Sequence, residues 1–423
     1  MAAQTQVDVG GILRPQGRLD LSTALAAYPE TLGERGAAHL LRRAGFGGSP
    51  DEIRRYAAMR AGDAVAALLD VPSANSIAPP PEGQTDGPVP RQDAHTMIEG
   101  LQLWWLDRML TTPAPLQEKM TLYFHGHFTS RGTPRFPRIT YDQNALFRQY
   151  ATGNLRELTR NVSKNAAMLM YLNGETNVAS HPNENYAREL MELFTLGVDN
   201  YTEQDVRESA RAWTGWRVNR RTDTVRFNPS LHDDGTKTFL GRTGNFNGDD
   251  IVDIIFDQPQ CARFFAASLL NWFVYNNPEP QLVDGVARVM RRHNYELHPV
   301  LATILGSNVF YSARAYRALV KSPVEFVVGS HKVLGLQTVA RPALPALQLM
   351  GQTLFAPPNV AGWPGGQNWL TSGTMIARQN FLTLLLGSQT LDGSSWLRSV
   401  PMQSKAAAQQ LAQAILQNDV SPA

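Results

Sequence analysis

Cysteine is nearly missing from this chain: Cys261 is the single one in 423 residues. No intramolecular disulfide and no thiolate metal cluster can therefore form. Cys261 sits in "QPQCARFF" beside an apolar run, which reads as a buried structural thiol rather than a nucleophile. Charge of one sign is also scarce. Lys and Arg number 39 against 37 Asp and Glu, a net charge of +2, and no basic run stands out. A nucleic-acid or anionic-membrane partner has no electrostatic footprint here. Long hydrophobic runs are missing too. The most apolar segment, "FFAASLLNWFVY", falls well short of the ~20 residues of a membrane span. The N-terminus, "MAAQTQVDVGGILRPQG", shows no basic stretch leading into an apolar one, so the chain as given reads as cytoplasmic, or as an exported protein missing its signal.

Familiar catalytic motifs are absent as well. The chain has no phosphate-binding G-x-x-x-x-G-K-[ST], no H-E-x-x-H, no G-x-S-x-G and no dinucleotide fingerprint. "NFNGDDIVDIIF" superficially suggests a calcium loop, but Phe256 stands where a bidentate glutamate belongs. Asp249 as a helix N-cap explains those residues instead.

What is present is an ordinary core-forming composition, 43% hydrophobic and 18% charged, dominated by helix signals. "SPDEI" pairs Ser49 with Glu52 in a capping box with Pro50 at the first turn. Asn154 with Glu157 and Thr202 with Asp205 repeat the pattern. Apolar spacing of three and four predicts further helices over 35–44, 62–69, 92–111, 116–124, 249–256, 259–276, 299–306, 321–335 and 374–387. Residues 71–91, rich in Pro, Ser and Gly, read as a mobile excursion. Residues 216–242 alternate and carry turn residues, which predicts a small β-hairpin between helices. The resulting expectation is a mainly α fold: an N-terminal extension over 1–34, one large multi-helix domain over 35–390 and a helical tail over 391–423.

Several clusters carry candidate chemistry. In "LYFHGHFTS", His125 and His127 stand two apart where a helix should end. In extended backbone they would share a face and a metal ion; the structural alternative is a C-terminal helix cap with a local hydrogen bond. "LHDDGTKTFLG" places His232 and Lys237 around an Asp-Gly turn, suggesting a general base and an anion-binding cation, or turn chemistry alone. "FAPPNVAGWPGGQNWL" carries Trp363 and Trp369, which could stack on a sugar or plug into the core. "HPNENYARELMELFTLG" reads as an amphipathic helix. There Arg188 serves Glu184 and Glu192 as i,i+4 partners, Gly197 supplies a left-handed end, and Glu189 lies on the border between faces.

These motifs, with "AAHLLRRAGFGGSPDEI" and "HDDGTKTFLGRTGNFNGDDIVDIIFDQP", occur in order from about residue 36 to 385. Together they resemble the bacterial family catalogued as domain of unknown function 1800. The resemblance implies an exported, periplasmic or secreted protein and a second exported, sulfatase-like partner, and it assigns no catalytic residue. Three functions follow as expectations. One is an enzyme using a divalent transition metal held by His125, His127 and a carboxylate such as Glu184 or Glu189, for hydrolysis or oxidation. Another is a metal-free acid/base enzyme on a polysaccharide, using Glu184, Glu189 or His232 with Lys237, Trp363 and Trp369 as substrate contacts. The third is a non-catalytic scaffold.

Overall fold

The computed structural model describes residues 19–70, 80, 88–339 and 341–387. Within them the fold is mainly α, with seventeen α-helices and two small two-stranded antiparallel sheets. The expected tail over 391–423, residues 1–18 of the extension and residues 71–79 and 81–87 of the Pro-rich stretch lie outside the described residues. The described part of the extension is packed: Ala27 bridges Ser307, and Tyr28 donates its N–H to the Gly306 carbonyl at 2.8 Å.

The chain opens with α1 (Gly33–Arg43), α2 (Pro50–Ala57) and α3 (Ala61–Leu69). The α2 capping box forms as expected, with Ser49 Oγ accepting from Glu52 N and Glu52 accepting from Ser49 N. Next come α4 (Ala94–Thr111), α5 (Pro115–His127) and α6 (Pro137–Gln149). The "NLRELTRNVSKNAAMLMYL" run divides into α7 (Leu155–Ser163) and α8 (Ala166–Tyr171), because Asn165 caps a second helix by accepting from Ala167 N. A short α9 (Asn185–Glu189) runs into a π-helical turn over Leu190–Thr195, followed by α10 (Glu203–Ala212).

The β insertion holds two ribbons where one was expected. β1 (Trp216–Asn219) pairs with β2 (Thr224–Phe227), and β3 (Lys237–Phe239) pairs with β4 (Arg242–Gly244). The second turn is built by Leu240 at φ 45° and Gly241 at φ 79°. Leucine rarely adopts that conformation, so the turn carries no sequence signal at its first position. Both ribbons lie between α10 and α11 (Gly248–Asp257). The cap of α11 is Asn247, closed by Asp250, rather than Asp249, which pairs instead with Lys164 at 2.8 Å.

The remaining helices are α12 (Pro259–Phe273), α13 (Pro280–Arg292), α14 (Leu297–Leu305), α15 (Pro323–Val333), α16 (Ala343–Leu349) and α17 (Ser372–Gly387). They build two apolar cores. The larger gathers side chains of α1, α3, α7 and α9 to α14, including Leu40, Leu158, Phe194, Phe265 and Leu301. The smaller joins α4 to α15, α16 and α17 through Trp105, Val327, Leu347 and Phe381. Helix α5 is the seam: Met120 and Phe124 enter the larger core, Leu122 the smaller, and Trp272 packs against both.

Candidate functional site

The two histidines expected to share an ion diverge. Helix α5 continues to His127, since a glycine in its last turn weakens a helix by only about 1 kcal/mol. Residues two apart in a helix differ by about 200° and so face opposite ways. His125 turns toward the smaller core, between Trp105, Phe355 and Trp363 at ring distances of 5.3–5.4 Å. Its Nε2 accepts the Phe355 N–H at 3.0 Å, which places its ring proton on Nδ1. Phe355 has φ 61°, a left-handed conformation costly for a bulky residue, so His125 helps to pin a strained loop. His127 goes the other way: its Nε2 donates to the Phe194 carbonyl at 2.8 Å, and its ring stacks on Tyr123. Burial pushes the His125 pKa down to about 3 and that of His127 to about 4. Both rings are neutral at pH 7. Among the described residues no group of three or more His, Cys, Asp or Glu is placed to hold a metal ion.

What His127 does reach is a cleft of about 410 Å³. One wall is the C-terminal end of α5, with Tyr123, Gly126 and His127. A second is α12 and its end, with Phe264, Ser268, Asn271, Trp272 and Asn276. The third is the "AGWPGGQNW" loop, with Trp363, Trp369 and the glycines between them. Gly362 lets this loop sit close: it has φ 79°, and a Cβ there would stand 2.5 Å from the Gly126 carbonyl oxygen. Trp363 and Trp369 both line this cleft, and Trp369 is otherwise buried. Leu193 of the π turn also lines it. The acidic stretch reaches the cleft through this leucine rather than through its acids.

A buried ionic boundary closes the floor. Glu325 accepts from Ser322 N at 2.8 Å as a capping-box residue of α15, and it is also ion-paired with Lys119 of α5. Burial alone would raise its pKa, but the charges of Lys119 and Arg43 bring it down to about 2. Lys119 stands 5.1 Å above the Trp272 ring, a cation–π contact. Arg43 donates through Nε to the Phe273 carbonyl at 3.1 Å and through Nη2 to the Trp272 carbonyl, satisfying the C-terminal end of α12. Beyond Arg43, Leu319 and Glu325, which line both spaces, lies a second cavity of about 210 Å³ walled by α1 and by residues 315–321.

A sequence model of the family described as "Protein of unknown function (DUF1800)" matches residues 39–423. The chain belongs to this family. The matched span contains α5, α12, α15 and both tryptophans of the loop, so the cleft is built entirely from the family's own segment. No curated protein and no solved structure matches the chain.

The other sequence candidates of this DUF1800 protein stand outside the cleft. Arg188 pairs with Glu184 at 3.3 Å but turns its other nitrogen to Glu203 at 2.6 Å, not to Glu192. The π turn breaks the 100° period, and Glu192 accepts from Tyr201 Oη at 2.8 Å. Gly197 adopts φ 82° as expected, while Val198 remains 61% exposed instead of folding back on Leu193. Glu189 is half-buried with no ion pair or hydrogen bond among the described residues; desolvation and then Glu192 raise its pKa. His232 uses Nδ1 on the Thr214 carbonyl at 2.9 Å. Lys237 is fully buried, with Nζ donating to the Asp233 and Gly235 carbonyls at 2.5 and 3.0 Å. It closes the turn rather than awaiting an anion, and Asp233 is clamped by Arg211 through two bonds of 2.7 and 3.1 Å.

Residues missed by sequence reasoning are Arg43, Lys119, Lys321 and Glu325. The signals were present as "RRAGF", "KSPVEF" and a lysine amid the apolar side chains of α5. Their convergence is a property of the fold.

Proposed function

We propose that the protein binds a small polar molecule with a flat apolar face, a sugar ring or a similar compound, in the cleft between α5, α12 and the 361–369 loop. The observation that carries this is the lining. Trp272, Trp363, Trp369 and Tyr123 supply broad aromatic surface beside the amides and hydroxyls of Asn271, Asn276, Gln352 and Ser268. Ligand sites commonly combine such surface with a few convergent polar groups.

An enzymatic reading rests on one further observation. His127 spends Nε2 on the Phe194 carbonyl, and its Nδ1 has no hydrogen-bond partner among the described residues. That lone pair belongs to a neutral imidazole on the cleft wall, suited to accept a proton from a bound hydroxyl. With its pKa held near 4, it becomes an effective base only when a bound ligand raises its basicity. Export and a sulfatase-like partner, both implied by the family resemblance, belong to this proposal and are tested by cell fractionation and co-purification.

Tryptophan fluorescence during titration with mono- and disaccharides tests the binding claim. A saturable change in wild type that is lost in Trp363→Ala supports it; identical curves for the two proteins refute it. His127→Gln keeps a donor for Phe194 and deletes the Nδ1 base. Binding kept with turnover lost would support the enzymatic reading, and turnover unchanged would remove it.

A further inference from the structure

Folding concentrates arginine on the first β ribbon. Residues 216–227 hold Arg217, Arg220, Arg221 and Arg226 against one acid, Asp223. Along the chain these arginines form no run, but the strand register sets Arg217 directly opposite Arg226. Like charges so placed destabilise a ribbon. Both lie on its outward face, because Val218 and Val225 on the other face pack against Phe136, Ile139, Ala166 and Ala167. Arg217 donates to the Glu175 carbonyl, and Arg220 pairs with the Glu175 carboxylate. Arg221 and Arg226 are exposed, and their guanidinium groups make no hydrogen bond or ion pair among the described residues.

One edge of the ribbon is open as well. β1 is flanked by α8 and by the 3₁₀ turn Gly174–Thr176, whereas β2 packs mainly on β1. The Asn228 N–H meets the Gly215 carbonyl at 2.8 Å, so by alternation the next ladder bonds fall at Arg217 and Arg226. The N–H and C=O groups of Val225 and Phe227 then point away from β1, along the free edge. Beside that edge lies a trough of about 410 Å³ with an apolar floor of Ile139, Ala145, Leu146, Ala166 and Val225. Asp223 lines it too, and its Oδ1 is buried without a hydrogen-bond partner among the described residues.

We propose that β2 is a docking edge for an extended acidic peptide, which adds as a third strand, sets carboxylates beside Arg226 and Arg217, and turns its alternate side chains into the trough. Main-chain bonds to Val225 and Phe227 hold such a strand, and the side chains on either face select it. The period of two means that the partner alternates acids with small apolar or hydroxyl residues. A hydroxyl on the trough side can donate to Asp223 Oδ1. A second copy of this chain fits the edge poorly, since its own β2 would bring arginine against arginine. The opposite charge is the matching one.

Fluorescence anisotropy of a labelled short peptide alternating glutamate with threonine, titrated with the full chain at low salt, tests the proposal. Two further peptides serve as controls, one with lysine in place of glutamate and one N-methylated throughout, which keeps its charge but loses its backbone donors. Saturable binding of the glutamate peptide alone is expected, weakened about tenfold or more in Arg226→Glu. That variant pairs with Arg217 across the ladder instead of repelling it, so its unfolding midpoint should not fall and lost binding cannot be lost folding. Arg226→Lys should keep most of the affinity. No saturable binding by wild type, or equal binding by Arg226→Glu, overturns the proposal. Equal binding of the N-methylated peptide, or tighter binding of a sulfated polysaccharide in its place, would make the ribbon a general anion surface and overturn strand addition.

Discussion

Replacing Glu118 with glutamine should destabilise the protein by about 3 kcal/mol without altering any lining residue of the cleft. Glu118 lies in α5 with no exposed surface. Its Oε1 accepts from Arg108 Nε at 2.5 Å and Arg148 Nε at 2.6 Å. Its Oε2 accepts from Arg148 Nη2 at 3.0 Å and Trp105 Nε1 at 2.9 Å. One carboxylate thus ties α4, α5 and α6 together and neutralises two buried guanidinium groups. Removing one partner of a buried ion pair costs about 3–5 kcal/mol, because the remaining charge is stranded. Glutamine keeps one acceptor oxygen, which puts the expectation at the lower end. The sign of the pH dependence is also fixed. Desolvation, the largest influence, would raise the Glu118 pKa, but Arg148 and Arg108 together bring it below its ordinary value of 4.5. The stabilisation is therefore full above pH 4.5 and fades as pH falls through the lower folded value. Urea unfolding at several pH values gives the measurement, since guanidinium chloride would screen the charges. A difference of less than about 1 kcal/mol at pH 7 would mean that the network behaves as a surface pair and that no buried charge is stranded. A difference that grows below pH 4.5 would refute the sign.

Three other outcomes follow from the same structure. His39, His125 and His127 have folded pKa values lowered from 6.5 to about 3–4, so stability is full above pH 6.5 and drops as pH falls toward 4; the urea-derived slope between pH 6 and 4.5 should lose roughly 1.4 kcal/mol per pH unit in His127→Gln. Gly362→Ala places a methyl group 2.5 Å from the Gly126 carbonyl oxygen at φ 79°; it should cost more than about 1 kcal/mol in urea unfolding and shift the tryptophan emission of the native state. Cys261 is fully buried with its thiol pKa pushed up by desolvation; a thiol reagent should label it in urea and leave the native protein untouched over the same interval.

The helical fold was legible because its signals are local. The caps at Ser49, Asn154 and Thr202 start helices where their side chains accept backbone N–H groups. Three helices, α6, α13 and α16, were missed, and the second β ribbon hid behind Leu240 in a glycine-like conformation. For the site, Trp363 and Trp369 stood out as residues, but nothing in their loop placed α5 and α12 opposite them. The charge pattern misled wherever the assumed period failed. Extended geometry at His125 and His127 gave way to helix, and the π turn swung Glu192 away from Arg188 to Tyr201. The ionic floor could not be read, since Lys119 and Glu325 are 206 residues apart and meet only when two cores close on α5.

The space beside Gly126 is the proposed ligand site, and Gly126 offers a direct way in. A Cβ at this position meets no heavy atom within 4 Å, and the residue lies on the cleft wall within α5. Gly126→Leu should therefore fill the cleft while leaving the helix as stable as before or slightly more so. A ligand-observed magnetic-resonance screen of mono- and disaccharides against wild type and Gly126→Leu, each checked for an unchanged unfolding midpoint, is the most direct measurement. Compounds that bind wild type should fail to bind the leucine variant. Compounds that bind both proteins equally, or none that bind wild type, would contradict it.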